Sequence, residues 1–169
     1  AHAETLAQVP FAAVTVIGLG YRRAAVGHPL DGFGVLWPRV ENARLLGCLF
    51  GSSLFPHRAP EGHVAVTAFI GGACDPAAAA LPDDALRAVL RAELHPLLAI
   101  SEEPVRVEIT RWPEGIPQYN LGHQRFLDAA AALEARHPGL HFFGNWRAGV
   151  SVGDCVKTGT ELAEALRAG

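Results

Sequence analysis

The pattern of apolar runs and turn residues along the first 72 residues predicts β-strands that follow one another without helices between them. The apolar, β-branched stretch Phe11–Gly20 is typical of a strand buried on both faces. Three more apolar runs, at Phe33–Pro38, Leu45–Phe55 and Val64–Ile70, are separated by residues that favour turns. Consecutive strands of this kind pair in antiparallel fashion, so we expect a mixed, mostly antiparallel sheet.

A helical period replaces the strand pattern after residue 82. It predicts a helix near 83–97, in which Pro96 kinks or shortens the last turn. The apolar face of this helix comprises Leu86, Val89, Leu90, Leu94 and Leu97. The clean alternation of Val105–Thr110 predicts a half-buried strand. A second helix is expected within Gly122–His137, where the following proline and glycine end it.

The last 30 residues have a strand, turn and helix pattern. The apolar run Leu140–Phe143 predicts a strand, and the glycine-rich segment Gly144–Gly159 follows it. Ser151 lies three residues before Asp154, a spacing that caps helices, so we expect a helix that starts between Val152 and Asp154. The unpaired N–H groups of such a start suit a phosphate or the electron-rich edge of a flavin ring. An ordinary strand–turn–helix unit is the alternative.

Composition and charge narrow the functional classes. The chain has 169 residues, half of them hydrophobic, which is enough for a packed core. A net charge of −3 gives no basic surface for nucleic acid. The three cysteines have no CxxC spacing, and no HExxH motif occurs. Only His137 and His141 have HxxxH spacing, and Pro138 and Gly139 between them exclude the helix that would bring both rings to one face, so we expect no metal site. No apolar run reaches the roughly 18 residues of a membrane span.

The segment Arg111–His123, RWPEGIPQYNLGH, is predicted to be a loop that carries function. It combines the aromatic residues Trp112 and Tyr119 with a proline-fixed turn and several polar groups. A rigid loop that closes the end of a core is an equally good interpretation of this composition.

Four stretches resemble the C-terminal part of the protoporphyrinogen oxidase family in sequence, order and spacing. They are GFGVLWPR at 32–39, GCLFGSSLFPHRAPEG at 47–62, RWPEGIPQYNLGH at 111–123 and GNWRAGVSVGDCVKTG at 144–159. The resemblance implies an FAD-dependent flavoprotein of the amine-oxidase type. It also implies that the substrate is protoporphyrinogen IX or coproporphyrinogen III and that oxygen is the usual electron acceptor. A flavin that takes the hydride explains why no catalytic constellation stands out.

The same resemblance implies which residues contact FAD. Gly144 and Asn145 match the family segment that passes the pyrophosphate and ribityl region. The turn against the flavin ring and the helix start behind it comprise Val150, Ser151, Val152 and Gly153. Trp112, with the segment Ile116–Tyr119, resembles the stretch packed beside the isoalloxazine.

For the substrate, the resemblance implies two residues. Leu36 and Phe69 match positions that line the tetrapyrrole cavity. Both are apolar strand residues, so plain sheet core is an equal alternative. No catalytic side chain and no metal ligand is assigned.

The dinucleotide fingerprint GxGxxG after a strand is not found in the sequence. In the resembled family it lies in the N-terminal half. We therefore expect an α+β fold in which residues 1–138 are part of the substrate-binding domain. Residues 139–169 are then the last strand and helix of a Rossmann-like FAD-binding domain. The N-terminal half is the expected partner, and without it the chain should neither hold FAD tightly nor oxidise a porphyrinogen.

Further expectations concern assembly and location. Unpaired strand edges favour association, so we expect a homo-oligomer. The resemblance implies a cytoplasmic enzyme, peripheral to the inner face of the cell membrane. Two other functions stay open. One is a binding module that pairs with a separate flavin subunit, and the other is an FAD-dependent oxidase of amines.

Overall fold

A computed structural model describes residues 1–168 and divides the chain into two compact units. One unit is Ala12–Gly115, and the other joins Ala1–Phe11 to the residues from Ile116 onward. The strands are β1 Phe11–Arg22, β2 Gly34–Leu36, β3 Leu45–Leu49, β4 His63–Gly71 and β5 Arg106–Pro117. The α-helices are α1 His2–Leu6, α2 Gly51–Leu54, α3 Asp83–Val89, α4 His95–Leu98, α5 Gln124–Arg136 and α6 Val152–Ala168.

The five strands form one sheet in the order β2-β3-β4-β1-β5. The pairs β1–β4, β2–β3 and β3–β4 are antiparallel. β5 runs antiparallel to β1, because Val105 N–H donates to Gly20 O and Gln118 N–H donates to Pro10 O, each at 2.8 Å. The predicted α+β class and the antiparallel sheet are therefore confirmed.

The core lies between one face of the sheet and the helical segment 83–98. Alternate side chains of β1 and β4 point into it, and they are met by leucines from the helical side. The buried residues are Ile17, Leu19, Tyr21, Val66, Ala68, Ile70, Leu86, Leu90, Leu94 and Leu98. β1 was predicted to be buried on both faces, but from Thr15 to Tyr21 its buried residues alternate with partly exposed ones, so one face of the strand carries most of the core.

The prediction that Leu97 belongs to the apolar face of the helix was wrong. Leu97 is 41% exposed, and Leu98 is buried in its place. The reason is a π-helical stretch, Leu90–Leu94, just before Pro96. A π turn holds more residues than an α turn, so leucines spaced four residues apart stay on the same side of the helix. Leu98, four residues after Leu94, therefore joins the buried face in place of Leu97.

The predicted strand at 140–144 was also wrong, since residues 140–143 have no regular structure. Phe142 N–H donates to Glu134 Oε1 at 2.7 Å, and Phe142 O accepts from Arg147 Nη1 at 2.7 Å. These side chains take the backbone groups that a neighbouring strand would otherwise pair. The helix α6 does start at Val152, as predicted.

The predicted loop at 111–123 is strand over its first half. β5 continues through Trp112 to Pro117, and only the residues after it form the turn before α5. β5 lies at the edge of the sheet, where prolines are tolerated because their missing N–H breaks no ladder.

Two observations bear on the larger predictions. The boundaries between the two compact units fall after Phe11 and after Gly115, not at residue 138. The assignment of residues 1–138 and 139–169 to different domains stays a prediction. Within residues 1–168, no helix is long and apolar enough to cross a membrane.

Candidate functional site

The glycine-rich turn before α6 is closed by a reciprocal cap. Asp154 N–H donates to Ser151 Oγ at 3.0 Å, and Ser151 Oγ donates to Asp154 Oδ2 at 2.7 Å. Ser151 N–H adds a bond to the same carboxylate oxygen at 3.2 Å. The bond from Cys155 N–H to Ser151 O then begins the helix. The capping spacing in the sequence predicted these contacts correctly.

This cap decides what the helix start can hold. Within the described residues, the N–H groups of Val152 and Gly153 make no hydrogen bond, so they are available to an acceptor. The Ser151 hydroxyl and N–H hold the pKa of Asp154 below its ordinary value, which keeps the carboxylate charged. An anion therefore already lies at this end of the helix dipole. The electron-rich but uncharged edge of a flavin ring fits here better than a phosphate does.

Gly149 lets the turn pack against that carboxylate. Its φ is +122°, and a Cβ atom built on it would lie 2.6 Å from Asp154 Cγ. Gly153, by contrast, has only Ser151 Oγ near its Cβ position, at 3.6 Å. The close approach thus belongs to Gly149, which the sequence did not distinguish from the other glycines of the turn, while Gly153 leaves open space beside the helix start.

Two residues that follow β5, Tyr119 and His123, make hydrogen bonds to the backbone of the same turn. Tyr119 Oη donates to Asn145 O at 2.7 Å and accepts from Gly149 N–H at 3.2 Å. His123 Nε2 donates to Trp146 O at 2.7 Å. The motif IPQYNLGH had indicated a functional segment, but nothing in the sequence indicated these partners about 25 positions away.

An ion pair that sequence analysis missed fixes the start of the turn. Arg147 Nη2 lies 2.9 Å from Glu134 Oε2, and both side chains are largely shielded from solvent. The Arg147 guanidinium lowers the pKa of Glu134 to about 2. Arg147 also donates to Phe142 O, so this pair ties the irregular segment 140–143 to α5.

Leu36 and Phe69 lie in one row across the sheet. Leu36 on β2 and Phe69 on β4 are both register partners of Gly47 on β3. A Cβ atom on Gly47 would lie 2.8 Å from Leu36 Cδ2, so the Leu36 side chain covers the gap left by this glycine. Both residues alternate with core residues and therefore lie on the face opposite the core, where Leu36 is 81% exposed.

Trp112 lies at the other edge of the sheet, on β5, whereas Leu36 is on β2. β5 alternates between shielded and exposed positions only as far as Thr110, and Trp112 is exposed beside a hollow that it shares with Ala79. The structure thus brings Leu36 and Phe69 to one face of the unit 12–115, and Trp112 lies apart from them. The other predicted site residues, Gly144, Asn145, Val150, Ser151, Val152 and Gly153, lie together in the unit that contains α6.

Comparison with known proteins supplies the family. The model of the flavin containing amine oxidoreductases matches residues 1–167. The chain belongs to this family. The resemblance inferred from the four sequence stretches is thereby confirmed, and a flavin is the cofactor that the family contains.

Two relatives show how similar the sequences are and how much of each protein the match covers. The mitochondrial protoporphyrinogen oxidase of Nicotiana tabacum is 33% identical over 162 residues, which is 94% of this chain and 32% of the relative. The coproporphyrinogen III oxidase of Bacillus subtilis is 30% identical over 155 residues, which is 90% of this chain and 33% of the relative. The chain therefore spans about a third of the length of these relatives.

A solved structure supports the fold alone. A crystal structure of a protein from Exiguobacterium sp. 255-15 superposes with a TM-score of 0.82 at 24% identity. The match covers 98% of this chain and 37% of that protein. The sheet and helices described above are therefore one part of a larger known fold.

Proposed function

We propose that this chain is the C-terminal part of an FAD-dependent enzyme that oxidises protoporphyrinogen IX or coproporphyrinogen III to the porphyrin in haem biosynthesis. The observation that carries the proposal is the similarity of more than nine-tenths of the chain to a protoporphyrinogen oxidase, with a similar match to a coproporphyrinogen III oxidase. The proposal assigns the electron-accepting chemistry to FAD, which takes a hydride from the substrate when bound.

In this proposal the α6 turn is the part of the chain that contacts the cofactor. The free N–H groups of Val152 and Gly153 would donate to the flavin ring, while Val150 and Ser151 shape the backbone around it. Gly144 and Asn145 would pass the pyrophosphate and ribityl region. The pyrophosphate cradle itself is assigned to the N-terminal half of the complete enzyme, because the helix start here already carries the Asp154 carboxylate.

The open face of the sheet is the part of the chain assigned to the substrate. Leu36 and Phe69 would form an apolar wall against the tetrapyrrole, and Trp112 would pack beside the isoalloxazine. A flat apolar substrate is recognised chiefly by large apolar surfaces, and this face offers them in one row. Exclusion of water by such a wall would favour hydride transfer without a dedicated acid or base in this chain.

Partners and location follow from the same assignment. The N-terminal half would supply the rest of the FAD site, and the enzyme would be a cytoplasmic homo-oligomer peripheral to the inner face of the cell membrane. Exposed apolar side chains on α6, including Val152 and Val156, support association through this helix.

The test uses the complete protein encoded by the open reading frame that contains this chain. We expect it to purify with FAD and to raise porphyrin fluorescence from protoporphyrinogen IX or coproporphyrinogen III above the autoxidation background. Benzylamine serves as the comparison substrate for an amine oxidase. A protein without flavin, or one that oxidises the amine and neither porphyrinogen, would contradict the proposal.

A further inference from the structure

Tyr119 and His123 bind the backbone of the turn at three residues, Asn145, Trp146 and Gly149. The Tyr119 hydroxyl bridges Asn145 O and Gly149 N–H, so a single oxygen joins the two ends of the segment 145–149. His123 binds Trp146 O between them. We call these two side chains the clamp.

The clamp is itself held in one orientation. The rings of Tyr119 and His123 stack with their centroids 4.3 Å apart, and Phe126 meets His123 edge-on at 5.4 Å. A carbonyl oxygen only accepts, so the bond to Trp146 O places the proton of the ring on Nε2. His123 Nδ1 is buried without a partner among residues 1–168, so within them the ring makes its hydrogen bond to Trp146 O alone.

We propose that the clamp positions the cofactor-binding turn, so that the Gly144–Gly153 backbone has its FAD-binding shape before FAD arrives. This inference rests on the proposed function of that turn. Tyr119 and His123 act through the backbone of Asn145, Trp146 and Gly149, and they are positioning residues rather than catalytic ones. Tyr119 is thereby given a role different from the ring-packing one implied by the family resemblance.

The physical basis is the cost of ordering the turn. Gly144 and Gly149 both have positive φ, and glycines lose more conformational entropy on ordering than other residues do. Without the clamp, that ordering would take place when FAD binds, and it would subtract from the affinity. The net free energy of one hydrogen bond corresponds to a change of severalfold in a dissociation constant. Loss of one clamp contact should therefore raise the FAD dissociation constant about three- to tenfold.

The experiment titrates FAD into the deflavinated complete protein and follows the quenching of flavin fluorescence. Tyr119→Phe removes only the bridging hydroxyl, and His123→Leu removes the donor to Trp146 O. His123→Gln keeps an amide N–H donor at a similar reach and should restore most of the affinity. Tyr21→Phe is the control, because it removes the same hydroxyl from a buried tyrosine of the unit 12–115.

We expect Tyr119→Phe and His123→Leu to weaken FAD binding while the unfolding midpoint of the apo-protein changes no more than in Tyr21→Phe. Their effects should be non-additive in the double variant, because both act on one segment. Unchanged FAD affinity in both variants would overturn the clamp while the porphyrinogen assay still upholds the proposed function. Absence of FAD binding by the parent protein would overturn both proposals. If the variants lose FAD affinity only to the extent that their unfolding midpoints fall, the clamp stabilises the fold and does not position the turn, and this inference is overturned.

Discussion

At the scale of single residues, the shape of the turn depends on which side chains are missing. Gly149 has a left-handed φ and lies against the Asp154 carboxylate, whereas Gly153 has room for a side chain. The two glycines look equivalent in GVSVGDC, and only the folded backbone distinguishes them. A sequence therefore shows that a turn needs glycine, without showing which glycine is in close contact.

We predict that Gly149→Ala destabilises the start of α6 and that Gly153→Ala does not. The new Cβ at position 149 would collide with the carboxylate and would also hold a strained φ, at a cost of about 1–3 kcal/mol. Urea unfolding followed by circular dichroism at 222 nm measures the difference. Equal free energies of unfolding for the two variants would show that the cap tolerates displacement.

At the scale of elements, prediction succeeded where the signal was local. β1, β4 and the capped start of α6 were predicted correctly, because an apolar, β-branched run and the Ser151–Asp154 spacing each lie within a few residues of sequence. Leu140–Phe143 was predicted as a strand from its apolar character alone, but a strand exists only through a hydrogen-bonded neighbour. The Tyr119–Asn145 and Glu134–Arg147 contacts join distant positions, and no local pattern encodes them.

The contact between α4 and β1 contains a group that should respond to pH. The Tyr21 hydroxyl lies 3.4 Å from His95 Nε2, and burial lowers the pKa of His95, an effect that Glu103 partly opposes. The unfolded chain therefore binds a proton more readily than the folded one near the ordinary histidine pKa of about 6.5. The stabilisation from neutral His95 is complete above that pH and is lost as the pH falls through the lower pKa of the folded state.

We predict that His95→Gln reduces the loss of stability between pH 7.5 and pH 5. Glutamine keeps a polar group beside Tyr21 but takes up no proton in this range. Urea midpoints of parent and variant at the two pH values provide the comparison. An identical drop in both proteins would mean that His95 does not contribute to the acid sensitivity.

At the scale of the whole molecule, the chain is one part of a fold whose relatives are about three times as long. Its α6 helix exposes apolar residues on one side, with Val152 at 82% and Val156 at 65% exposure. Phe143 is exposed as well, and together with Val152 and Val156 it lines a shallow groove along the helix. Such a surface favours contact with another protein surface over contact with water.

We predict that the isolated chain forms dimers or larger species and that Val156→Glu shifts it toward the monomer. The charge would be buried without a partner in any contact made by this side of α6. Ala165→Glu is the matched control, because position 165 lies about half a turn around the helix from Val156. Light scattering after size-exclusion chromatography gives the masses, and equal masses for both variants would place the contact elsewhere.

The central claim is that this chain belongs to a flavoenzyme in which FAD takes electrons from a porphyrinogen. The most direct measurement mixes the complete protein with protoporphyrinogen IX, and separately with coproporphyrinogen III, in the absence of oxygen. The account predicts that the visible flavin absorbance bleaches as porphyrin absorbance appears with at least one of them, and that admitted air restores the flavin band. A flavin that stays oxidised with both porphyrinogens would contradict the claim.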